Sequence, residues 1–237
     1  MKAMILAAGL GTRFKPWTDK HPKALALVNS KTLLERNLVY LQSFGIKDVL
    51  VNVHHFPDQI RHAIIVNDGW GSNITISDES DEVLETGGGL KKAVDYFDKE
   101  PFVLMNVDIL TDLNLSKMIS FHEEKKPLVT LAVTDRKSSR YFLFNKSDRL
   151  TGWRNTKTGE EKISIANTDM KEKAFSGIHI ISPELFSLMH QRGKFSIVDV
   201  YLELAASQLI LGFDHSGSKL VDVGRTEAIA IAEKLFD

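Results

Sequence analysis

The first glycine-containing turn of the chain combines backbone freedom with positive charge. Within residues 5–23 (ILAAGLGTRFKPWTDKHPK), Arg13 and Lys23 are the first and last of four lysines and arginines that follow an apolar run. Gly9 and Gly11 allow positive φ angles and let backbone N–H groups approach a phosphate, while the two basic residues supply the charge that repeated phosphates need. The same pattern is equally compatible with an ordinary glycine turn that carries solvated basic side chains.

Two aspartates stand where apolar runs end, which makes them candidates for holding a cation. Asp108 follows the run FVLMNV, and Asp222 lies in LVDVG. Carboxylate oxygens are the protein ligands that Mg²⁺ prefers, with waters and phosphate oxygens completing its octahedron. Taken alone, either aspartate is more often a cap or a turn residue, so the pattern leaves both roles open.

Composition limits the classes of function. The 237 residues are 43% hydrophobic and carry a net charge of −1, so no overall basic surface argues for binding to nucleic acid or to an anionic membrane. There is no cysteine, which excludes disulfides, thiolate metal sites and a cysteine nucleophile. The apolar stretch at residues 3–8 is too short for a signal peptide or a membrane span. These features predict a soluble, cytoplasmic protein.

Strand and helix signals alternate along the chain, which predicts an α/β fold with a doubly wound, mostly parallel sheet. Met4–Ala8 is a short apolar run typical of a strand covered on both faces. Thr32 and Glu35 form a capping box for a helix that extends to Phe44. The remaining predicted strands cover 48–53, 73–77, 101–107, 128–134, 174–181 and 219–223, and the remaining predicted helices cover 57–66, 87–97, 196–207 and 226–236.

The pattern changes after residue 134. Residues 141–144 and 150–154 resemble a hairpin, and residues 155–162 (NTKTGEEK) are typical of an exposed polar loop. We therefore predict one Rossmann-like domain, residues 1–237, with an inserted flap at roughly 135–172. Ligands of such open sheets lie outside the carboxyl ends of the strands, where the glycine turn is expected.

Neither of two well-known phosphate-binding loops matches this turn. A dinucleotide-binding fingerprint requires a third glycine where Phe14 stands, and a Walker A loop requires a glycine–lysine–serine/threonine spacing that is absent. Whether the turn binds phosphate must therefore be judged from a longer stretch of sequence.

The turn is part of a longer sequence signature. The segment GLGTRFKPWTDKHPK (9–23) resembles GxGTRxxPxTxxxPK of the sugar-1-phosphate nucleotidyltransferases at eight positions, and the resemblance continues in LETGGGL (84–90), NVDIL (106–110), FSGIHIISPELF (175–186) and VDVGRTEAI (221–229). It is most similar to the N-acetylmuramate-1-phosphate uridylyltransferase branch. Trp17, where the family usually has leucine, and Val107, within what is often a GD motif, are mild departures.

The resemblance implies an enzyme of nucleotide-sugar biosynthesis, with a role in the cell wall. It would transfer a nucleotidyl group, expected to come from UTP, to a sugar 1-phosphate and release pyrophosphate. Two alternatives remain open: a cytidylyltransferase that acts on a non-sugar phosphate such as phosphocholine, and a non-catalytic nucleotide-binding module. The expected partners are the nucleoside triphosphate and the sugar phosphate, without nucleic acid or membrane, and the expected assembly is a monomer or homodimer.

The resemblance also implies roles for individual residues. Arg13 would hold the β- and γ-phosphates of the nucleotide, and Lys23 would bridge the attacking phosphate and the α-phosphate. Asp108 and Asp222 would hold Mg²⁺. The residues expected to bind the nucleotide are Ala8, Gly9, Gly11, Thr12, Arg13, Lys23, Glu79, Gly87 and Gly88.

The sequence gives less information about the residues that contact the base and the sugar. By the resemblance, Gly87 and Gly88 would leave room for a flat base, and Glu79 is a hydrogen-bonding candidate nearby, although it is equally compatible with a solvated loop acid. The residues expected to line the sugar-phosphate side are Asn106, Glu85, Ser176 and Gly177.

Overall fold

The computed structural model describes residues 1–166 and 169–236. These residues form fourteen strands and seven α-helices, together with short 3₁₀ turns. The strands are β1 Ala3–Leu6, β2 Leu27–Val28, β3 Lys31–Thr32, β4 Asp48–Val53, β5 Asn73–Asp78, β6 Phe102–Asn106, β7 Ile109–Thr111, β8 Val129–Thr134, β9 Arg140–Phe144, β10 Leu150–Asn155, β11 Glu160–Ile163, β12 Lys171–Ile181, β13 Ile210–Asp214 and β14 Leu220–Asp222. The helices are α1 Leu33–Gln42, α2 Pro57–Val66, α3 Glu85–Lys92, α4 Leu115–Lys125, α5 Leu185–Leu188, α6 Ile197–Leu204 and α7 Glu227–Leu235.

The central sheet has the order β5–β4–β1–β6–β12–β8–β13. Strands β5, β4, β1 and β6 pair in parallel, and β8 pairs in parallel with β13. Strand β12 is antiparallel to both of its neighbours, β6 and β8, so the other strands of this row all point the same way. The predicted α/β class with a mostly parallel sheet is confirmed.

Both faces of the central sheet are covered by helices. Alternate side chains of a strand point to opposite faces, so neighbouring residues of β1 pack in different clusters. Ala3 and Ile5 of β1 belong to one apolar cluster with residues of α1, α2, α4 and α7. Met4 belongs to a second cluster with residues of α3, α5 and α6. This two-sided burial explains why the first strand is a continuous apolar run. The chain is therefore doubly wound, as predicted.

The predicted hairpin is formed by β9 and β10, and it joins the sheet through the start of β12. Residues Lys171–Lys173 pair with β9, while β11 pairs with the outer edge of β10. The expectation of a polar loop at 155–162 is wrong at its end, because β11 begins at Glu160. The flap boundaries of 135–172 stay a prediction, and residues 167 and 168 within them lie outside the described residues.

Seven elements were not predicted: the two larger ones are α4 and β13, and the short ones are β2, β3, β7, β11 and α5. Helix α4 follows β7, and β13 forms the edge of the sheet beside β8. The predicted helix at 87–97 begins earlier, at Glu85, and ends at Lys92, with a separate 3₁₀ turn at Val94–Tyr96. Within residues 1–166 and 169–236, none of the helices combines the length and apolar character that a membrane crossing requires.

The topology places the predicted site residues at one edge of the sheet. Strands β1, β4 and β6 run in parallel, so the loops that follow Leu6, Val53 and Asn106 lie at the same end. The short strand β14 pairs with β7 directly after β6, and this ladder brings the distant carboxyl-terminal segment to that edge.

Candidate active site

The glycine loop that follows β1 is held in a compact turn. Gly11 has φ +59°, and a Cβ atom there would lie 2.8 Å from Cγ2 of Thr18. The Thr18 hydroxyl donates to the Gly11 carbonyl oxygen over 2.9 Å, and Phe14, at 1% exposure, anchors the turn in the core. Positive φ was expected at both loop glycines, but it occurs at Gly11 and not at Gly9. Glycine at position 11 is therefore required by both space and conformation.

Lys23 enters the site from a short 3₁₀ helix that starts directly after Pro22. Its side chain is 10% exposed, and Nζ lies 2.5 Å from Oδ2 of Asp108, whose side chain is 22% exposed. Because a partly buried charge requires a partner, this pair keeps a cation and an anion fixed in the site before any substrate binds.

A first cavity of about 440 Å³ opens above these residues. Its wall includes the predicted nucleotide-binding loop, the Lys23–Asp108 pair, and parts of the segment around Glu85. The predicted site residues that line this cavity are Ala8, Gly9, Gly11, Thr12, Arg13, Lys23, Glu85, Asn106 and Asp108. The sequence prediction for the loop and for Lys23 thus corresponds to one continuous surface.

The two predicted metal ligands come from neighbouring backbone positions. In the β14–β7 ladder, Asp222 is opposite Ile109, and the amide of Val223 donates to the carbonyl oxygen of Asp108 over 2.8 Å. A Cβ atom on Gly224 would lie 2.6 Å from Oδ1 of Asp222 and 3.0 Å from Nη2 of Arg13. The carboxylate of Asp222 and the guanidinium of Arg13 therefore flank the same glycine.

A second cavity of about 700 Å³ adjoins the first, because Arg13 and Asn106 line both. Gly177 and Asp222 lie in its wall. Gly177 has φ +73°, and a Cβ atom there would lie 2.9 Å from Nδ2 of Asn106. Its lining also contains Arg136, Arg140, Lys157 and Arg225, which sequence reasoning did not identify.

The structure corrects the expectation that Glu79 contacts the nucleotide. Its side chain is 1% exposed and does not line either cavity. Burial raises the pKa of this carboxyl, although hydrogen bonds from Asn52 and from the Leu84 amide partly oppose that shift. Asn52 lines the first cavity and was also missed, although a polar residue inside the apolar strand VLVNV is a detectable signal.

Four other predicted site residues lie as follows. Glu85 lines the first cavity and not the second, and its assignment to the sugar phosphate stays a prediction. Ser176 is fully buried and lines neither cavity, and its hydroxyl lies 2.8 Å from Nε2 of His215. Gly87 and Gly88 are close to the 193–195 segment, since a Cβ on Gly88 would collide with the carbonyl oxygen of Gly193. Close packing therefore explains these two glycines, and their contact with a base stays a prediction.

Comparison with known proteins identifies the family. A model of the family described as nucleotidyl transferase matches residues 2–235. The chain belongs to this family. The N-acetylmuramate alpha-1-phosphate uridylyltransferase of Caulobacter vibrioides is 29% identical over 98% of this chain and 95% of that protein. The mannose-1-phosphate guanyltransferase of Yarrowia lipolytica is 27% identical over 95% of this chain and 61% of that protein.

A solved structure shows the same fold. HddC from Yersinia pseudotuberculosis, complexed with GMP-PN, superposes with a TM-score of 0.81 at 21% identity, over 100% of this chain and 99% of that chain. The family match and the sequence relatives confirm the predicted class: this nucleotidyl transferase is a sugar-1-phosphate nucleotidyltransferase. The names of the relatives include both uridylyl and guanylyl transfer, so they leave the nucleotide open.

Proposed function

We propose that this nucleotidyl transferase transfers a uridylyl group from UTP to a sugar 1-phosphate that carries a second acidic group, in a reaction that requires Mg²⁺. The observation that supports it most strongly is that Arg13 lines two adjoining cavities, with Lys23 and Asp108 in the wall of the first and Asp222 in the wall of the second. One cavity would hold the nucleotide and the other the sugar, so the attacking phosphate would meet the α-phosphate at the shared wall.

The chain's own residues would lower the barrier mainly by positioning and by charge neutralisation. Both substrates are anions, so their approach is opposed by electrostatic repulsion. Lys23 lies in the first cavity beside Asp108. In the proposed reaction it would contact the phosphate oxygens of both substrates. Arg13 lines both cavities and would hold the pyrophosphate as it leaves. Charges fixed in advance stabilise a transition state without a reorganisation cost.

The donor set fits Mg²⁺. Asp108 and Asp222 offer hard carboxylate oxygens from adjacent backbone positions, and phosphate oxygens and waters would complete the shell. Within the described part of the chain, no three acidic, histidine or cysteine side chains cluster closely enough to hold a metal by themselves. The proposal therefore has the ion bind together with the nucleotide, where it would neutralise phosphate charge.

The charge of the second cavity supports an acidic sugar. Five basic side chains line it against one carboxylate, Asp222, and none of the five forms an ion pair with a carboxylate of the described residues. Arg13 would bind the phosphates. The remaining excess of positive charge lies at the flap, where β9 begins with Arg140 and Lys157 follows β10. A second anionic group on the sugar would neutralise this excess. The name of the Caulobacter relative contains such a sugar, N-acetylmuramate 1-phosphate.

Initial rates of pyrophosphate release test this proposal. We expect the highest kcat/KM with UTP among UTP, GTP, dTTP and CTP, and a preference for N-acetylmuramate 1-phosphate over N-acetylglucosamine 1-phosphate, which lacks the carboxylate. A preference for CTP with phosphocholine would contradict the proposed reaction. Absence of turnover with any pair would favour a binding module.

Matched variants test the acidic group separately. We expect Arg140→Gln and Lys157→Gln each to raise KM for N-acetylmuramate 1-phosphate about tenfold, because each removes a charge-assisted contact, and to change KM for N-acetylglucosamine 1-phosphate less than twofold. Lys137→Gln is the control, since Lys137 is exposed nearby and does not line the cavity. Equal effects on KM for the two sugars would refute the proposal that the sugar carries a second acidic group, and would leave the proposal of uridylyl transfer intact.

A further inference from the structure

A buried carboxylate lies behind the first cavity and is not used by any step described above. Glu79 directly follows β5 and is 1% exposed. Its Oε1 accepts a hydrogen bond from Nδ2 of Asn52 over 2.7 Å, and within the described residues it forms no ion pair with a lysine or arginine. Its burial is costly, and its hydrogen bonds together with the positive charge of Lys92 offset only part of that cost.

Asn52 connects this carboxylate to the glycine loop. It is 2% exposed and lies in β4, and its Oδ1 accepts from the backbone amide of Ala7 over 2.7 Å. The Ala7 amide can only donate, and an ionised carboxylate can only accept. These two partners therefore fix the orientation of the Asn52 side-chain amide, with oxygen toward the loop and nitrogen toward Glu79.

The other side of Glu79 faces the segment that forms the opposite part of the cavity wall. Its Oε2 is 3.4 Å from the backbone nitrogen of Leu84. A Cβ atom on Gly89 would lie 2.6 Å from Oε1 of Glu79, so α3 packs directly on the carboxylate. Leu84 is flanked by Val83 and Glu85, which line the same cavity as the glycine loop.

We propose that Glu79 is a positioning residue for the nucleotide: through Asn52 it holds the glycine loop and the wall at residues 83–86 at a fixed separation. This inference rests on the proposed function only in placing the nucleotide in the first cavity. The second cavity does not border this chain of hydrogen bonds, since neither Asn52 nor Glu79 lines it. Loss of the chain therefore weakens the nucleotide complex and spares the sugar phosphate.

Steady-state kinetics with UTP and a sugar 1-phosphate as probes distinguish positioning from general support of the fold. We expect Glu79→Leu to raise KM for UTP about tenfold, because Nδ2 of Asn52 is then buried without its acceptor and Asn52 no longer connects the loop to the opposite wall, and to change KM for the sugar phosphate less than twofold. Glu79→Gln keeps an acceptor for Asn52 and should cost less than threefold. Glu82→Leu is the matched control, because Glu82 is exposed three residues away.

A double-mutant cycle supplies the decisive result. Asn52→Leu should raise KM for UTP about as much as Glu79→Leu, and the double variant should be no worse than Asn52→Leu alone, because the chain is already broken. If Glu79→Leu does not yield folded protein, Asn52→Leu with and without Glu79→Gln gives the same comparison. Additive effects, or equal rises in both KM values, would overturn the inference.

The wild-type enzyme separates this inference from the proposed function. Absence of turnover by the wild type with UTP would contradict uridylyl transfer itself. Normal wild-type turnover, combined with an unchanged KM for UTP in Glu79→Leu and Asn52→Leu, would contradict the positioning role alone.

Discussion

A methyl group added at Gly224 should disturb the reacting centre without disturbing the fold. The Cβ of Gly224→Ala would lie 2.6 Å from Oδ1 of Asp222 and 3.0 Å from Nη2 of Arg13. Restoring an ordinary contact of 3.4 Å requires the carboxylate oxygen to move by about 0.8 Å. Both neighbours are the far ends of flexible side chains, so the displacement costs little stability. Misplacement by about 1 Å in an active site can cost about 100-fold in rate.

We therefore expect Gly224→Ala to lower kcat about 100-fold while Tm stays within about 2 °C of the wild type. Pyrophosphate release at saturating UTP and Mg²⁺ measures the rate, and a thermal melt measures the fold. Gly217→Ala is the control, since no atom lies within 4 Å of its added Cβ. Turnover within threefold of the wild type would refute the argument that Asp222 and Arg13 act from these positions.

Three further predictions concern the charge clamp, the packing and the pH dependence. Lys23→Met should lower kcat about 100-fold, since it removes a cation from the reacting centre, whereas Lys20→Met, in the exposed part of the same loop, should leave kcat unchanged in the same assay. Gly88→Ala should lower Tm by about 5 °C in a thermal melt, because the methyl group meets the backbone of Gly193; an unchanged Tm would contradict that contact. Three buried histidines should make unfolding by urea easier below pH 6.5. Their folded-state pKa values lie below the ordinary value of 6.5, so the unfolded chain takes up protons first as the pH falls. At pH 5.5 each histidine therefore lowers the free energy of unfolding by about 1 kcal/mol. A urea midpoint that is the same at pH 7 and pH 5.5 would contradict this. Burial lowers the pKa values to about 4 for His122, about 3 for His179 and about 4 for His215.

Local sequence signals predicted most of the fold. The predicted strand at 48–53 and helix at 57–66 have the observed bounds, and Thr32 accepts a hydrogen bond from the Glu35 amide as the capping box requires. Helix α4, Leu115–Lys125, was missed although its N-cap Asn114 accepts a hydrogen bond from the Lys117 amide, and its C-cap Lys126 is left-handed without the glycine that usually marks such an end. Strand β13 contains Gly212, a residue that is unfavourable within a strand, and the Phe144 ring packs on that glycine. That contact is tertiary and has no trace in the local sequence.

The candidate site also has parts that the sequence predicts and parts that it does not. The glycine loop could be predicted because the residues that shape it, Gly11 and Thr18, are close in sequence. The basic wall of the second cavity could not, because Arg140 and Lys157 are single charges in polar stretches until the flap folds beside β12. Glu79 was assigned to the wrong side of the wall, since sequence does not tell which way an acid at a strand end points.

A crystal soaked with Mn²⁺ and a non-hydrolysable UTP analogue tests the central claim most directly. The account predicts an anomalous peak between the carboxylates of Asp108 and Asp222, with the triphosphate in contact with Arg13 and Lys23. A triphosphate bound elsewhere, or a metal ion that contacts neither carboxylate, would contradict it.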